Sequence, residues 1–252
     1  MGNFVRKYWK TLLFFGLVGL VGGFFTGLYL QDSYPAEIQQ QIYAQGLNDV
    51  LLGLITAVQS AGYGIVLGAA GIFLGKKIGL WKDERTFAKM PLLVTLLISI
   101  GGGLALILPD ILFFGKYSEV IMNSYAVKPT VPYMIAAVLY GGVVEEVMLR
   151  LFMMSLVAFL LHKIFCKKLE YPTTGILIAA NAIAAILFAA GHLPTTAMLM
   201  GITPMILFRC FLLNGGFGLL FGWLYRKYGL RYAMLAHGGC HMVSKLIWIL
   251  FI

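Results

Sequence analysis

The sequence predicts an all-α fold: a polytopic bundle of about seven membrane helices, or eight, in a single membrane domain, 1–252. Three observations carry that expectation. Of 252 residues, 60% are hydrophobic and 12% charged, about half the ~25% of a soluble domain. Seven continuous apolar stretches approach or exceed the ~20 residues needed to cross a bilayer. Basic residues gather in alternate connections between them. This composition excludes a soluble enzyme, a disulfide-stapled secreted module and a disordered chain.

The stretches are 11–30, 47–75, 92–112, 132–162, 173–192, 204–225 and 232–251. Each should be helical, because lipid offers the backbone no hydrogen-bond partners. A lipid-facing β-barrel would alternate apolar and polar residues, and these runs do not. The first follows Arg6, Lys7 and Lys10 like a signal peptide, but it is long and no small-x-small site follows it, so it reads as a retained span. Gly19, Gly23 and Gly27 lie four apart in it, as do Gly64 and Gly68, and Gly71 and Gly75, in the second; this spacing predicts close helix packing. Cys166, Cys210 and Cys240 form no spaced pair.

Fourteen of the nineteen basic residues lie in four places: the N-terminus, the 76–91 loop with Arg85, the 163–171 loop and the 226–231 turn. The alternate connections hold Lys116 and Lys128 beside Asp32, Glu37, Asp110 and Glu119. Positive loops stay cytoplasmic, which predicts a cytoplasmic N-terminus in a multi-pass cell-membrane protein. Most of the +9 net charge is then orientation signal and contact with membrane lipids, and no nucleic-acid partner is needed.

The remaining charges are the informative ones. Glu145, Glu146, Arg150, His192, Arg209, His237, His241 and Lys245 fall inside or at the edges of spans, where each must face protein or a wet cavity. Glu146 and Arg150, four apart, share a helix face and can pair. Glu145 is turned by about 100° and lacks that counter-ion, which leaves it available as a general base. A buried pair that only locks helices together would explain Glu146 and Arg150 but not Glu145. His237 and His241, also four apart, share one face of the last span, which suits a common water or a zinc ion. His192 closes the fifth span. One general base, three imidazoles and a cation are the inventory for activating water, directly or on zinc, without a Ser or Cys nucleophile.

These residues resemble a known family, the CPBP intramembrane proteases (CAAX proteases and bacteriocin-processing enzymes, or Abi family). Its pattern, EExxxR, FxxxH and HxxxN or HxxxD on separate membrane helices, is met by Glu145-Glu146-xxx-Arg150, by Phe188-xxx-His192 and by His237. The resemblance covers residues 132–245, a protease core within the single domain. It implies an endopeptidase cutting a peptide or a prenylated or lipid-anchored protein near the membrane face. It implies Glu145 as the activator of water with His192 as partner, Glu146, Arg150 and Phe188 as organisers, and His237 at the oxyanion. His241 stands where the family has Asn or Asp. An imidazole there can donate to an oxyanion or join Glu145, His192 and His237 around zinc, so both a metal-free site and a zinc site are carried forward.

Two other readings are open: a non-catalytic protein of the same fold, in bacteriocin self-immunity or as a scaffold, and a proton-coupled carrier, which lacks the matched broken helices of an inverted repeat. Size and compact loops point to a bacterial plasma membrane. Linear counting also poses a conflict. His237 is six residues from Arg231, whereas Glu145 and His192 are 17 and 19 residues from the cytoplasmic ends of their spans. They meet only if the 226–231 turn lies deeper than the other ends, or if 193–225 contains a re-entrant piece.

Overall fold

The computed structural model describes residues 2–83 and 86–252. Arg85 and the Asp32 side chain, both used in sorting the charges, lie outside the described residues. Among those residues the fold is helical throughout, without strands, and the chain is a multi-pass membrane protein. Six helices are long and apolar enough to cross a bilayer: Gly2–Leu30, Asp49–Lys77, Lys89–Tyr117, Thr174–Met200, Pro204–Tyr228 and Leu230–Phe251. The other predicted span, 132–162, is continuous helix over 131–165 and carries Glu145, Glu146 and Arg150.

Local sequence explains the ends. Asn48 accepts a hydrogen bond from the Leu51 N–H, and Thr130, Thr173 and Thr203 accept from the backbone three residues on, so four helices begin on side chains that satisfy an otherwise unpaired donor. Gly201 (φ +71°) and Gly229 (φ +109°) make the turns before the last two helices with backbone angles that other residues rarely adopt.

The glycine spacing is packing, as expected. A Cβ at Gly19 would fall 2.6 Å from the Ser60 carbonyl oxygen, and one at Gly27 would fall 2.7 Å from the Gly53 Cα. The first two long helices therefore touch backbone to backbone, and the first helix is part of the bundle. Gly71 packs on Leu151 in the same way. The last helix is clasped on two sides: Gly142 lies against Gly238, and Gly102 and Gly103 lie against Cys240 and Val243.

Three expectations change. The connection between the 173–192 and 204–225 stretches is mostly helix, because helix resumes over Leu193–Met200 and the turn is confined to 201–203. Asp110 is not in a connection; it lies inside the Lys89–Tyr117 helix and is fully buried. The depth conflict is resolved without a short re-entrant piece. Ser155, ten residues before the end of the 131–165 helix, already bonds Tyr225, three residues before the Tyr228 end of its own helix (3.1 Å). The 131–165 helix thus runs well past the 228–231 turn, and counting from its end overstated the depth of Glu145. Its middle, Ala137–Glu145 and Val147–Met154, is also wound in the wider π form, which advances less per residue and is often found at functional sites.

Candidate active site

Glu146, between the π-wound stretches Ala137–Glu145 and Val147–Met154, and Arg150, within the second, both face inward. Glu146 is completely buried and Arg150 nearly so. Their ion pair, Arg150 Nη1 to Glu146 Oε1, measures 3.3 Å but is not aligned as a hydrogen bond, and Arg150 Nη1 and Nη2 and Glu146 Oε2 have no protein hydrogen-bond partner. The guanidinium instead lies between two aromatic faces, 4.5 Å from the Phe188 ring centre and 5.6 Å from that of Phe221. Cation–π contact of this kind compensates a desolvated Arg.

His237 comes in from the last helix. Its Nδ1 is 2.9 Å from Glu146 Oε1, and a carboxylate accepts, so Nδ1–H donates. Its Nε2 lies 3.9 Å from Glu145 Oε2. The Phe221 ring stacks on the imidazole at 4.5 Å, fixing its plane. Glu145 itself keeps 18% side-chain exposure and faces a cavity of about 490 Å³ that His192, His237 and His241 also line. His192 is held by its Nδ1, 2.8 Å from the Phe188 carbonyl oxygen. A carbonyl only accepts, so this Nδ1 also carries the hydrogen, and Nε2 is the ring nitrogen available to the cavity. His241 stands 4.9 Å from His237, ring centre to ring centre.

The structure brings all the anticipated residues to one place. Glu145, His192, His237, His241 and Phe188 line the cavity, with Glu146 and Arg150 behind. The closest imidazole contact to Glu145 is with His237, whereas His192 shares the cavity without touching it. Phe221 and Gly141 were not singled out from sequence. An aromatic inside an apolar span has no periodic mark, and the glycine acts through absence. A Cβ at Gly141 would fall 3.1 Å from His241 Nε2 and 3.6 Å from His237 Nε2, so its missing side chain leaves room for both ring nitrogens.

The imidazoles have the chemistry of metal ligands, with Nδ1 of two of them anchored to oxygen. Among the described residues no three His, Cys, Asp or Glu side chains are grouped closely enough, as they stand, to hold an ion together. A second buried charge cluster lies outside the lining of this cavity. Arg209 Nε and Nη2 donate to Asp110 Oδ1 and Oδ2, both at 2.6 Å, and the Tyr125 hydroxyl donates to Oδ2 at 2.8 Å.

Comparison with known proteins adds one match. Residues 127–243 match a protein-family model described as Rce1-like, Type II CAAX prenyl endopeptidase Rce1-like. No curated protein and no solved structure matches the chain.

Proposed function

We propose, from the match of residues 127–243 to the CAAX prenyl endopeptidase family model, that this chain is a CPBP-type intramembrane protease, a metal-free endopeptidase in which Glu145 activates water. One observation supports it above the others: three separate helices deliver Glu145, His192, His237 and His241 to one cavity, with Glu145 and His237 3.9 Å apart. A water between a carboxylate and an imidazole at that separation is within reach of both. Glu145 takes its proton as oxygen attacks the scissile carbonyl, and returns it to the amine nitrogen as the intermediate collapses and the C–N bond breaks. Glu146 fixes His237 through Nδ1, which leaves the neutral ring's Nε2 as a second proton acceptor. Arg150 offsets the charge of the carboxylate pair. A metal-free route is favoured because no three His, Cys, Asp or Glu side chains are grouped as a metal site among the described residues.

The substrate class follows the family: a prenylated or otherwise lipid-anchored peptide presented at the membrane face. The basic connections support a cytoplasmic N-terminus, and the compact loops a bacterial plasma membrane. The experiment is cleavage of a prenylated CAAX peptide in proteoliposomes. Glu145→Ala is expected to lower the rate by about 10³-fold or more while the protein still inserts and keeps its melting temperature. Full activity in that variant would overturn Glu145 as the base, and no cleavage by the parent protein would leave the non-catalytic reading standing. A chelator is expected to have no effect; loss of activity restored by added zinc would overturn the metal-free route.

A further inference from the structure

Neither His192 nor His237, when neutral, offers a hydrogen to the cavity. Each carries its hydrogen on Nδ1, one toward the Phe188 carbonyl and the other toward Glu146. A tetrahedral oxyanion needs a donor. On the same helix, Lys245 lies four residues beyond His241 and is 94% buried. Among the described residues it makes no ion pair. Its ammonium has two contacts: the face of Tyr133, 4.4 Å from the ring centre, and His241 Nδ1, at 3.4 Å. The Tyr133 ring is itself held by stacking on Tyr29 at 4.2 Å.

An ammonium has three donors and no acceptor. Against it, His241 Nδ1 must present its lone pair, which places the ring hydrogen on Nε2, the atom beside Gly141 at the cavity. We infer that Lys245 is a positioning residue that locks His241 in the Nε2–H tautomer, making His241 the neutral hydrogen-bond donor of the site. Two imidazoles one turn apart are thereby held in opposite tautomers, His237 by a carboxylate and His241 by a cation. The same lock leaves His241 no free lone pair for a metal. An Nε2–H imidazole can then serve as an asparagine amide would at this position, since both present a neutral N–H. This inference rests on the protease reading for its purpose, but not for its tautomer.

The test is a double-variant cycle joined to a spectrum. Lys245→Met is expected to lower kcat by about tenfold or more with little change in KM, and Lys245→Arg, again a donor-only cation, to restore most of it. In a His241→Asn background, Lys245→Met should change kcat by less than about twofold, because an amide carries its hydrogens whatever its neighbour. An equal loss in both backgrounds would reduce Lys245 to packing. With four histidines in the chain, ¹⁵N-histidine NMR can resolve the ring assigned through His241→Asn. A neutral Nε2–H pattern that changes on Lys245→Met is expected, and an Nδ1–H pattern overturns the proposal. The spectrum decides the tautomer even if Glu145→Ala proves fully active.

Discussion

The chain buries two clusters of opposite charge, and they are built differently. Around Asp110 the cluster is closed. The carboxylate receives two hydrogen bonds from Arg209 and one from Tyr125, and Phe114, Ile121 and Ile206 form a small apolar core nearby. Around Glu146 the cluster is open. The ion pair is longer, several polar atoms lack a protein partner, and the neighbouring carboxylate of Glu145 looks into a cavity. A buried pair whose donors and acceptors are matched ties segments together, here the Lys89–Tyr117 and Pro204–Tyr228 helices with Tyr125. A buried group left partly unmatched beside a cavity retains capacity for something that enters it.

Breaking each cluster should therefore give different losses. Glu146→Gln carries the largest expected effect in this comparison. It leaves Arg150 buried without its counter-ion and replaces the charged acceptor of His237 Nδ1 with a neutral amide oxygen, so stability falls by about 3–5 kcal/mol and the specific activity of the surviving folded protein falls as well. Thermal unfolding and cleavage of the same preparation check both. Arg209→Met strands Asp110 and should cost a similar ~3–5 kcal/mol, but with specific activity within about twofold of the parent. Equal activity losses in the two variants would erase the distinction between lock and site.

The smallest effect concerns an exposed tie outside both clusters. Lys7 meets Asp83 at 2.7 Å, and Tyr8 and Trp81 donate to the same carboxylate. Slight burial pushes the Asp83 carboxyl up, but the hydrogen bonds from Lys7, Trp81 and Tyr8 outweigh it and hold it below the usual carboxylate range. A depressed carboxyl stabilises the fold above its unfolded pKa, about 3.9, and that contribution is lost as pH falls through the lower folded value. Lys7→Met should lower the melting temperature only slightly at neutral pH, because an exposed pair is screened by water and salt. The difference between variant and parent should shrink on acidification below about pH 4, as followed by melting temperature.

How much was legible varies by residue. Glu145, Glu146 and Arg150 could be read from sequence because helical spacing places neighbours on the same element. Asp110 was grouped with the loop charges although it falls at the end of the 92–112 stretch; the helix continues to Tyr117 and buries it. Arg209 stood out as a charge in a span, but its partner is 99 residues away, and no local pattern connects them. Lys245 was visible as an anomaly without a role, because its meaning depends on which ring nitrogen it faces.

By itself the sequence determined the helical class, the approximate spans, their alternating basic connections and which charges had to be buried. These follow from hydropathy and the helix period, which are local properties of the chain. Only the tertiary structure decided that His237 meets Glu146 across 91 residues, that the 131–165 helix overruns its neighbours, and that His241 turns one ring nitrogen to Lys245 and the other toward Gly141. The helix period fixes which residues share a face, but not the depth or rotation of one helix against another. Those are set by where backbones can approach, at Gly142 against Gly238 and Gly102 against Cys240, and a glycine in the sequence does not name the surface it will touch.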